Sequence, residues 1–165
     1  MPGVEGRVAL VTGAGRGIGR VTADLLASRG ARVMAVARSE NELQTLGLDY
    51  VVADLGTPDG CTLAVKETQD RLGPVAILVC NHGIGSAHER VIWEQEPELW
   101  RETMRINLDG PYLLSRLVVK DMIERGYGRV VFTSPTAGQV AEYASSAYIS
   151  SKHGLLGLMR SVAQD

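Results

Sequence analysis

A tyrosine and a lysine near the end of the chain have the residue types and the spacing for proton chemistry. Tyr148 and Lys152 are four positions apart, so on a helix both side chains project from one face. A free tyrosine, with a pKa of about 10, is a poor base at neutral pH, but a neighbouring ammonium favours the phenolate. A phenol held in this way can exchange a proton with a substrate oxygen. The same spacing also occurs in ordinary surface helices, so other motifs must support this interpretation.

A glycine-rich loop near the N-terminus has the composition of a phosphate-binding turn. The segment 12–19, which reads TGAGRGIG, lies between an apolar run at Val8–Val11 and an apolar pattern at helical spacing. Glycines permit positive φ in such a turn and let backbone N–H groups approach a pyrophosphate at a helix N-terminus. A tight turn without a ligand is the structural alternative. The candidate contacts are Gly13, Arg16, Gly17, Ile18 and Gly19.

Strands and helices alternate in the predicted structure around these motifs. Continuous apolar runs predict buried parallel strands at 8–11, 33–37, 50–53, 74–80 and 128–133. A helix is predicted after the glycine loop, with its apolar face formed by Ile18, Val21, Leu25 and Leu26. Further helical patterns begin at Thr57-Pro58, cover Glu98 to Arg125 with a bend or break at Pro111, and run from Ala147 to the end. This alternation predicts an α/β fold with a Rossmann-type doubly wound parallel sheet and helices on both faces.

We expect residues 1–165 to form a single domain. The last predicted helix carries no stop signal before Asp165, and a sheet of six or more strands needs more sequence, so a C-terminal strand and helix are expected to be missing. A naturally minimal five-stranded domain is the alternative.

The motifs together resemble those of the short-chain dehydrogenase/reductase family along essentially the whole chain. The spacing TGxxxGxG, Asn107 and the Tyr148-x-x-x-Lys152 pair occur in the family's order. The resemblance implies that Asp54 touches adenine, that Lys152 holds the nicotinamide ribose and that Asn107 anchors a proton-relaying water. It also assigns the segment with Asn81 and Gly83 to the cofactor site, although Cys80 and His82 replace the usual Asn and Ala. His82 is more simply explained as a tolerated side chain than as a base.

One expected catalytic group is absent from its usual position. The family places a serine thirteen residues before the tyrosine, where its hydroxyl stabilises developing oxyanion charge, and here that residue is Pro135. Proline has neither hydroxyl nor N–H, so we expect the neighbouring Ser134 to take this role.

The predicted cofactor is NADP(H), with NAD less favoured. The second predicted strand ends in Ala37 and Arg38 rather than in the acid that would bind a ribose 2′-hydroxyl. Arg38 and Arg16 can contact a 2′-phosphate, and the resemblance implies basic residues at these positions in NADP-preferring members. Either arginine could instead be a solvated surface charge.

These observations predict an oxidoreductase that transfers hydride between NADP(H) and a ketone, an aldehyde or a secondary alcohol, with Tyr148 as acid/base. A catalytically weak or inactive nucleotide-binding relative is the alternative, because of Pro135 and the abrupt end of the chain. A third alternative is a structural module that binds no cofactor, but then the whole series of motifs would have arisen by coincidence. The resemblance also implies a homo-oligomer, with Leu117, Val118 and Met122 as candidate contacts, although packing in the core explains these residues equally well.

Composition narrows the partners to small molecules. A formal net charge of -2 gives no basic field for nucleic acid or a membrane surface, and no apolar stretch is long enough to span a membrane. Cys61 and Cys80 lack metal-ligand spacing, so we expect two reduced thiols and no metal site. The absence of a signal-peptide pattern predicts a cytoplasmic protein.

Overall fold

A five-stranded parallel sheet forms the centre of the molecule. The structure is a computed structural model that describes residues 3–85, 90–134 and 143–165. The strands are β1 Val8–Thr12, β2 Arg32–Ala37, β3 Asp49–Val52, β4 Ile77–Cys80 and β5 Arg129–Phe132. Their order is β3-β2-β1-β4-β5, and every pair is parallel. The predicted doubly wound α/β fold is therefore confirmed, and the chain order reverses between β1 and β4.

Helices cover both faces of this sheet. The α-helices in the described residues are α1 Gly17–Ser28, α2 Glu40–Gln44, α3 Pro58–Leu72, α4 Pro97–Met104, α5 Gly110–Glu124 and α6 Ser146–Val162. Alternate residues of each strand point to opposite faces, so Leu10 and Leu78 pack with α3 and α5 whereas Ala9 and Ile77 face α1. The two apolar clusters hold the carboxyl ends of the strands at one common edge.

The predicted long helix between residues 98 and 125 is divided. A π-helical segment, Arg105–Asp109, separates α4 from α5 directly before Pro111. Because proline has no N–H, it cannot donate the α-helical hydrogen bond to the carbonyl of Asn107, four residues earlier. The expected break at Pro111 is confirmed, and it falls beside one of the candidate catalytic residues.

One expectation about packing is wrong. The apolar residues Ile18, Val21 and Leu25 of α1 are 69%, 66% and 48% exposed, because Gly19 and Ala23 form the face buried against the sheet. These small residues allow a close approach of helix and sheet.

For the candidate oligomer contacts, the structure favours the alternative explanation, packing in the core. Val118 and Met122 are buried in the core, and Leu117 packs against the same cluster, so these side chains are occupied by intramolecular packing. Strand bounds differ slightly from prediction: β4 begins at Ile77 rather than at Pro74, and β3 begins and ends one residue earlier than expected. Within the part of the chain that the structure describes, no helix is long and apolar enough to cross a membrane.

Candidate functional site

A cleft of about 380 Å³ opens at the carboxyl ends of the strands, where the chain order reverses. The loops that follow β1, β2, β3 and β4 form its walls. The sequence-predicted cofactor residues that line it are Gly13, Arg16, Gly17, Ile18, Arg38, Asp54, Asn81 and Gly83. Residues far apart in the sequence are thus brought to one surface.

The glycine loop is shaped by its close approach to the segment after β4. Gly13 has a φ of +64°, and a Cβ at this position would lie 2.9 Å from Cα of His82. A Cβ on Gly19 would collide with the Gly13 carbonyl and the Asn81 side chain, so Gly19 lies beneath the loop rather than in the cleft. Arg16 precedes α1 without a side-chain cap, which leaves the first N–H groups of this helix available to an anion.

The hydroxyl of Thr12 ties the two loops together. It donates to the Val79 carbonyl at 3.0 Å and accepts from the backbone N–H of Asn81 at 2.9 Å. Because Thr12 is fully buried, these hydrogen bonds fix the ends of β1 and β4 relative to each other. The floor of the cleft is therefore held by buried hydrogen bonds.

Asn107 lies buried in the π-helical segment, and both the oxygen and the nitrogen of its side-chain amide form hydrogen bonds. Its Oδ1 accepts from Ile84 N at 2.8 Å, and its Nδ2 donates to Ile84 O at 3.0 Å and to Ser151 Oγ at 3.1 Å. The amide therefore joins the segment after β4 to the first turns of α6, the helix that carries Tyr148 and Lys152.

Lys152 lies close to Tyr148, behind the part of the cleft that Gly83 lines. Its Nζ is 5.8 Å from the centre of the Tyr148 ring and donates to the Thr133 carbonyl at 3.3 Å. A Cβ on Gly83 would lie 3.6 Å from this ammonium, so the missing side chain keeps the path from cleft to lysine short. Burial lowers the pKa of Lys152. The structure thus brings Asn107, Tyr148 and Lys152 together, as the helical spacing and the resemblance predict.

Ser134 follows the Thr133 carbonyl that Lys152 contacts. Its hydroxyl oxygen is buried and has no hydrogen-bond partner in the described part of the chain. A buried hydroxyl without a partner is costly unless a ligand completes it. Pro135, at the position of the family's serine, lies outside the described residues.

His82 contributes another buried polar atom without a hydrogen-bond partner among the described residues. Its Nδ1 is 2.8 Å from the Thr12 hydroxyl, whereas Nε2 is buried without a hydrogen-bond partner among the described residues. A Cβ on Gly110 would lie 2.7 Å from Nε2, so the imidazole fits against the bend before α5. Burial and then the charge of Lys152 lower the pKa of His82 to about 4, which keeps the ring neutral at pH 7. This agrees with the prediction that His82 is no ready base.

The opposite end of the cleft carries a cluster of charges. Asp54 accepts from Gly56 N through Oδ1 and from Arg105 through Oδ2, both at 3.0 Å. Arg105 also binds Glu102 with two hydrogen bonds, at 2.7 and 2.8 Å. Burial alone would raise the pKa of Asp54, but the Gly56 N–H, Arg105 and the charge of Arg38 lower it below its usual 3.8. Asp54 is therefore oriented and ionised beside the cleft.

Sequence reasoning missed three charged residues in or beside this site. Glu102 and Arg105 have ordinary helix-pair spacing, but the link from Arg105 to Asp54 spans 51 positions and has no local signal. Glu42 lines the cleft from α2, although nothing in its neighbourhood distinguished it from Glu40. Among the residues described, no cluster of three or more His, Cys, Asp or Glu side chains is arranged to hold a metal.

Both cysteines are free and buried. Burial, followed by the charge of Asp54, raises the pKa of Cys61 to about 12, and burial also raises that of Cys80. Both thiols therefore stay protonated at neutral pH and are poor nucleophiles.

Two solved structures share this architecture. A metagenomic short-chain oxidoreductase in complex with NADP has a TM-score of 0.91 and 34% identity, over 98% of this chain and 76% of its own. A putative gluconate dehydrogenase from Agrobacterium tumefaciens has a TM-score of 0.89 and 29% identity, over 98% of this chain and 67% of its own.

Curated sequences give the same result. The 3-oxoacyl-acyl-carrier-protein reductase FabG of Vibrio cholerae is 33% identical over 98% of this chain and 68% of its own length. An uncharacterized oxidoreductase of Thermotoga maritima is 35% identical over 97% of this chain and 65% of its own length. The model of the short chain dehydrogenase family matches residues 7–165. With its glycine loop, its tyrosine-lysine helix and these relatives, the chain belongs to the short-chain dehydrogenase/reductase family of oxidoreductases.

Proposed function

We propose that this protein is an NADP(H)-dependent oxidoreductase that interconverts a ketone or aldehyde with the corresponding alcohol. The observation that carries the proposal is the position of Lys152, with Nζ 5.8 Å from the Tyr148 ring and close behind Gly83 of the cleft. Bound in the cleft, the nicotinamide would accept or supply the hydride. The residues fit such a group, because the glycine loop lines the cleft and the N-terminus of α1, which no side chain caps, can accept its pyrophosphate.

The tyrosine hydroxyl is the proposed acid/base. During reduction, Tyr148 donates a proton to the carbonyl oxygen as hydride reaches the carbonyl carbon, and during oxidation it takes the alcohol proton back. The Lys152 ammonium stabilises the phenolate that forms after donation. Pro111 cannot donate to the Asn107 carbonyl, which supports the role of Asn107 as the anchor of a water that relays protons towards Lys152.

Ser134 is the proposed oxyanion donor. Its buried hydroxyl has no partner in the described chain and lies one residue from the carbonyl that Lys152 contacts. A hydrogen bond from this hydroxyl to the substrate oxygen would strengthen as negative charge develops there. The alternative function, a weak or inactive nucleotide-binding relative, is favoured by Pro135 at the position of the family's serine.

NADP(H) is the proposed cofactor because Arg16 and Arg38 line the cleft and Ala37 replaces an acid at the end of β2. The NADP complex of a metagenomic relative supports this choice. Arg38→Asp is expected to remove or reverse the preference for NADPH over NADH, since it adds repulsion at the 2′-phosphate. Titrations with both cofactors measure this, and equal affinities in the parent protein would contradict the assignment.

The substrate is proposed only as a small carbonyl compound or alcohol. The names of the relatives include a 3-oxoacyl reductase and a putative gluconate dehydrogenase, so they cover both acyl and sugar-acid substrates. The proposed activity is tested by measuring NADPH consumption with a panel of ketones and aldehydes. Cofactor binding without turnover on any of them would favour the inactive alternative. A homo-oligomer also stays a proposal, and sedimentation measures it.

A further inference from the structure

We propose that Glu42 is a cofactor-specificity residue. It reduces the preference of the cleft for an adenosine ribose that carries a 2′-phosphate over one that carries a free 2′-hydroxyl. The inference rests on the proposed function, because it concerns the same nucleotide cleft. Arg16, Arg38 and Ser39 line one part of this cleft, and Glu42 lies in the same wall. The site that two arginines assign to a 2′-phosphate therefore also contains a carboxylate.

The position of the carboxylate is defined by Gly15. A Cβ on Gly15 would lie 2.6 Å from Oε2 of Glu42 and 3.0 Å from its Cβ, so the glutamate fills the space beside the glycine loop. Glu42 is half-buried, whereas Glu40 on the same short helix is exposed and accepts a hydrogen bond from the Tyr50 hydroxyl at 3.2 Å. One glutamate of α2 thus faces the cleft and the other faces outward.

The charge balance of this end makes the carboxylate important. No ion pair within 4.0 Å joins Glu42 to an arginine in the described chain. The Gly56 N–H and Arg105 for Asp54, and Arg105 for Glu102, are the main causes of the lowered pKa values of these two carboxyl groups, and the charge of Arg38 adds to them. Arg38 therefore also interacts with carboxylates of the protein. A 2′-phosphate bound here would therefore lie near two arginines and near a glutamate that forms no ion pair with either of them in the described chain.

The two forms of the ribose respond to Glu42 in opposite ways. A 2′-phosphate is repelled by the carboxylate, whereas a 2′-hydroxyl can donate a hydrogen bond to it. Glu42 thereby takes part of the role that an acid at the end of β2 has in NAD-binding sheets of this kind. Arg16 and Arg38 still favour the 2′-phosphate, and Glu42 reduces the difference in affinity between the two forms.

The test compares 2′,5′-ADP with 5′-AMP, two probes that differ only by the 2′-phosphate. Calorimetric titration of Glu42→Gln is expected to show 2′,5′-ADP binding about five to twenty times more tightly than to the parent protein, with less gain at high salt. The affinity for 5′-AMP should change less than about twofold, because glutamine keeps an acceptor oxygen. Glu42→Ala removes that acceptor and should weaken 5′-AMP by about threefold while it still tightens 2′,5′-ADP.

Glu40→Gln is the matched control, since it removes the same charge from the same helix outside the cleft lining. It should leave both affinities within about twofold of the parent values. Equal changes for Glu40→Gln and Glu42→Gln, or no change for either, would overturn the role of Glu42 and leave the proposed function standing. A parent protein that binds neither probe would overturn the nucleotide site itself, and this inference with it.

Discussion

The end of the cleft near Asp54 and the end near Lys152 differ in how their polar side chains are held. Asp54 and Arg105 pair with side chains 41% and 31% exposed, and the neighbouring Arg38 is also exposed. Asn107, Ser151 and Lys152 are buried, at 0%, 0% and 6% exposure. The first end relies on charges that solvent screens, whereas the second relies on desolvated hydrogen bonds.

The difference follows from what each end has to do under the proposed function. Recognition of an adenosine phosphate needs charge at the surface, where long side chains can close around a ligand. Proton exchange needs fixed groups in a site where electrostatic interactions are strong. Substitutions at the buried end should therefore have the larger effects, and those at the charged end smaller and salt-dependent ones.

Removal of the Tyr148 hydroxyl is expected to have the largest effect. Tyr148→Phe keeps the ring but removes the acid/base, so turnover should fall by roughly 10²- to 10⁴-fold with cofactor affinity nearly unchanged. Steady-state rates and an NADPH titration measure the two quantities. Tyr143→Phe, which alters a tyrosine that is 87% exposed, is the control and should keep the parent rate. Equal loss in both variants would refute the assignment.

Removal of the Ser134 hydroxyl is expected to have the second-largest effect. Ser134→Ala is expected to lower turnover by roughly 10²- to 10³-fold, since an oxyanion donor acts mainly in the transition state. Cofactor affinity should remain at the parent value. If Ser134→Ala is neutral while Pro135→Ser raises turnover, then Ser134 does not fill the role and the parent protein is a weak enzyme.

His82 should make the free energy of unfolding depend on pH. Its pKa, about 4 in the folded protein against an ordinary 6.5, means that only the unfolded chain takes up a proton between these values. The free energy of unfolding should therefore fall as pH drops from about 6.5 to 4, by up to roughly 3 kcal/mol.

His82→Gln removes the titrating group and should flatten that profile in urea denaturation series at several pH values. His153→Gln changes an exposed histidine on α6 and is expected to leave the slope in place. A parent profile that is already flat between pH 6.5 and 4 would show that His82 is not desolvated as described.

The charged end should give the smallest effect. Arg105→Met removes the guanidinium that orients Asp54, and an exposed ion pair contributes about 1 kcal/mol or less, so nucleotide affinity should fall by about fivefold at most. The lowered pKa of Asp54 stabilises the folded state at pH values above 3.8, the ordinary pKa of the group. That contribution is lost as pH falls through the lowered pKa, so parent and variant should converge in strong acid.

Arg101→Met is the control for this change, because among the described residues the ion pair of Arg101 is with Glu98, three positions away on the same helix. It should leave nucleotide affinity at the parent value. An Arg105→Met loss far beyond tenfold that resists high salt would mean that the charged end is as tightly built as the buried end.

The local order of residues determined much of the fold and part of the site. Apolar runs and glycine turns placed all five strands to within a few residues, because a strand buried on both faces has a distinctive composition. The four-residue spacing placed Tyr148 and Lys152 on one helix, and Pro111 predicted the break that lies beside Asn107. Each of these signals is read within a few positions of the residue concerned.

Only the tertiary structure decided which distant side chains meet. Arg105 reaches Asp54 from 51 positions away, and Glu42 reaches the space beside Gly15 because α2 packs next to the glycine loop. Likewise, the apolar stripe of Ile18 and Val21 favoured the wrong face of α1, since close packing selected Gly19 instead. Local sequence sets backbone conformation over a few residues, whereas contacts between loops depend on how the sheet orders its strands, and that order is a property of the whole chain.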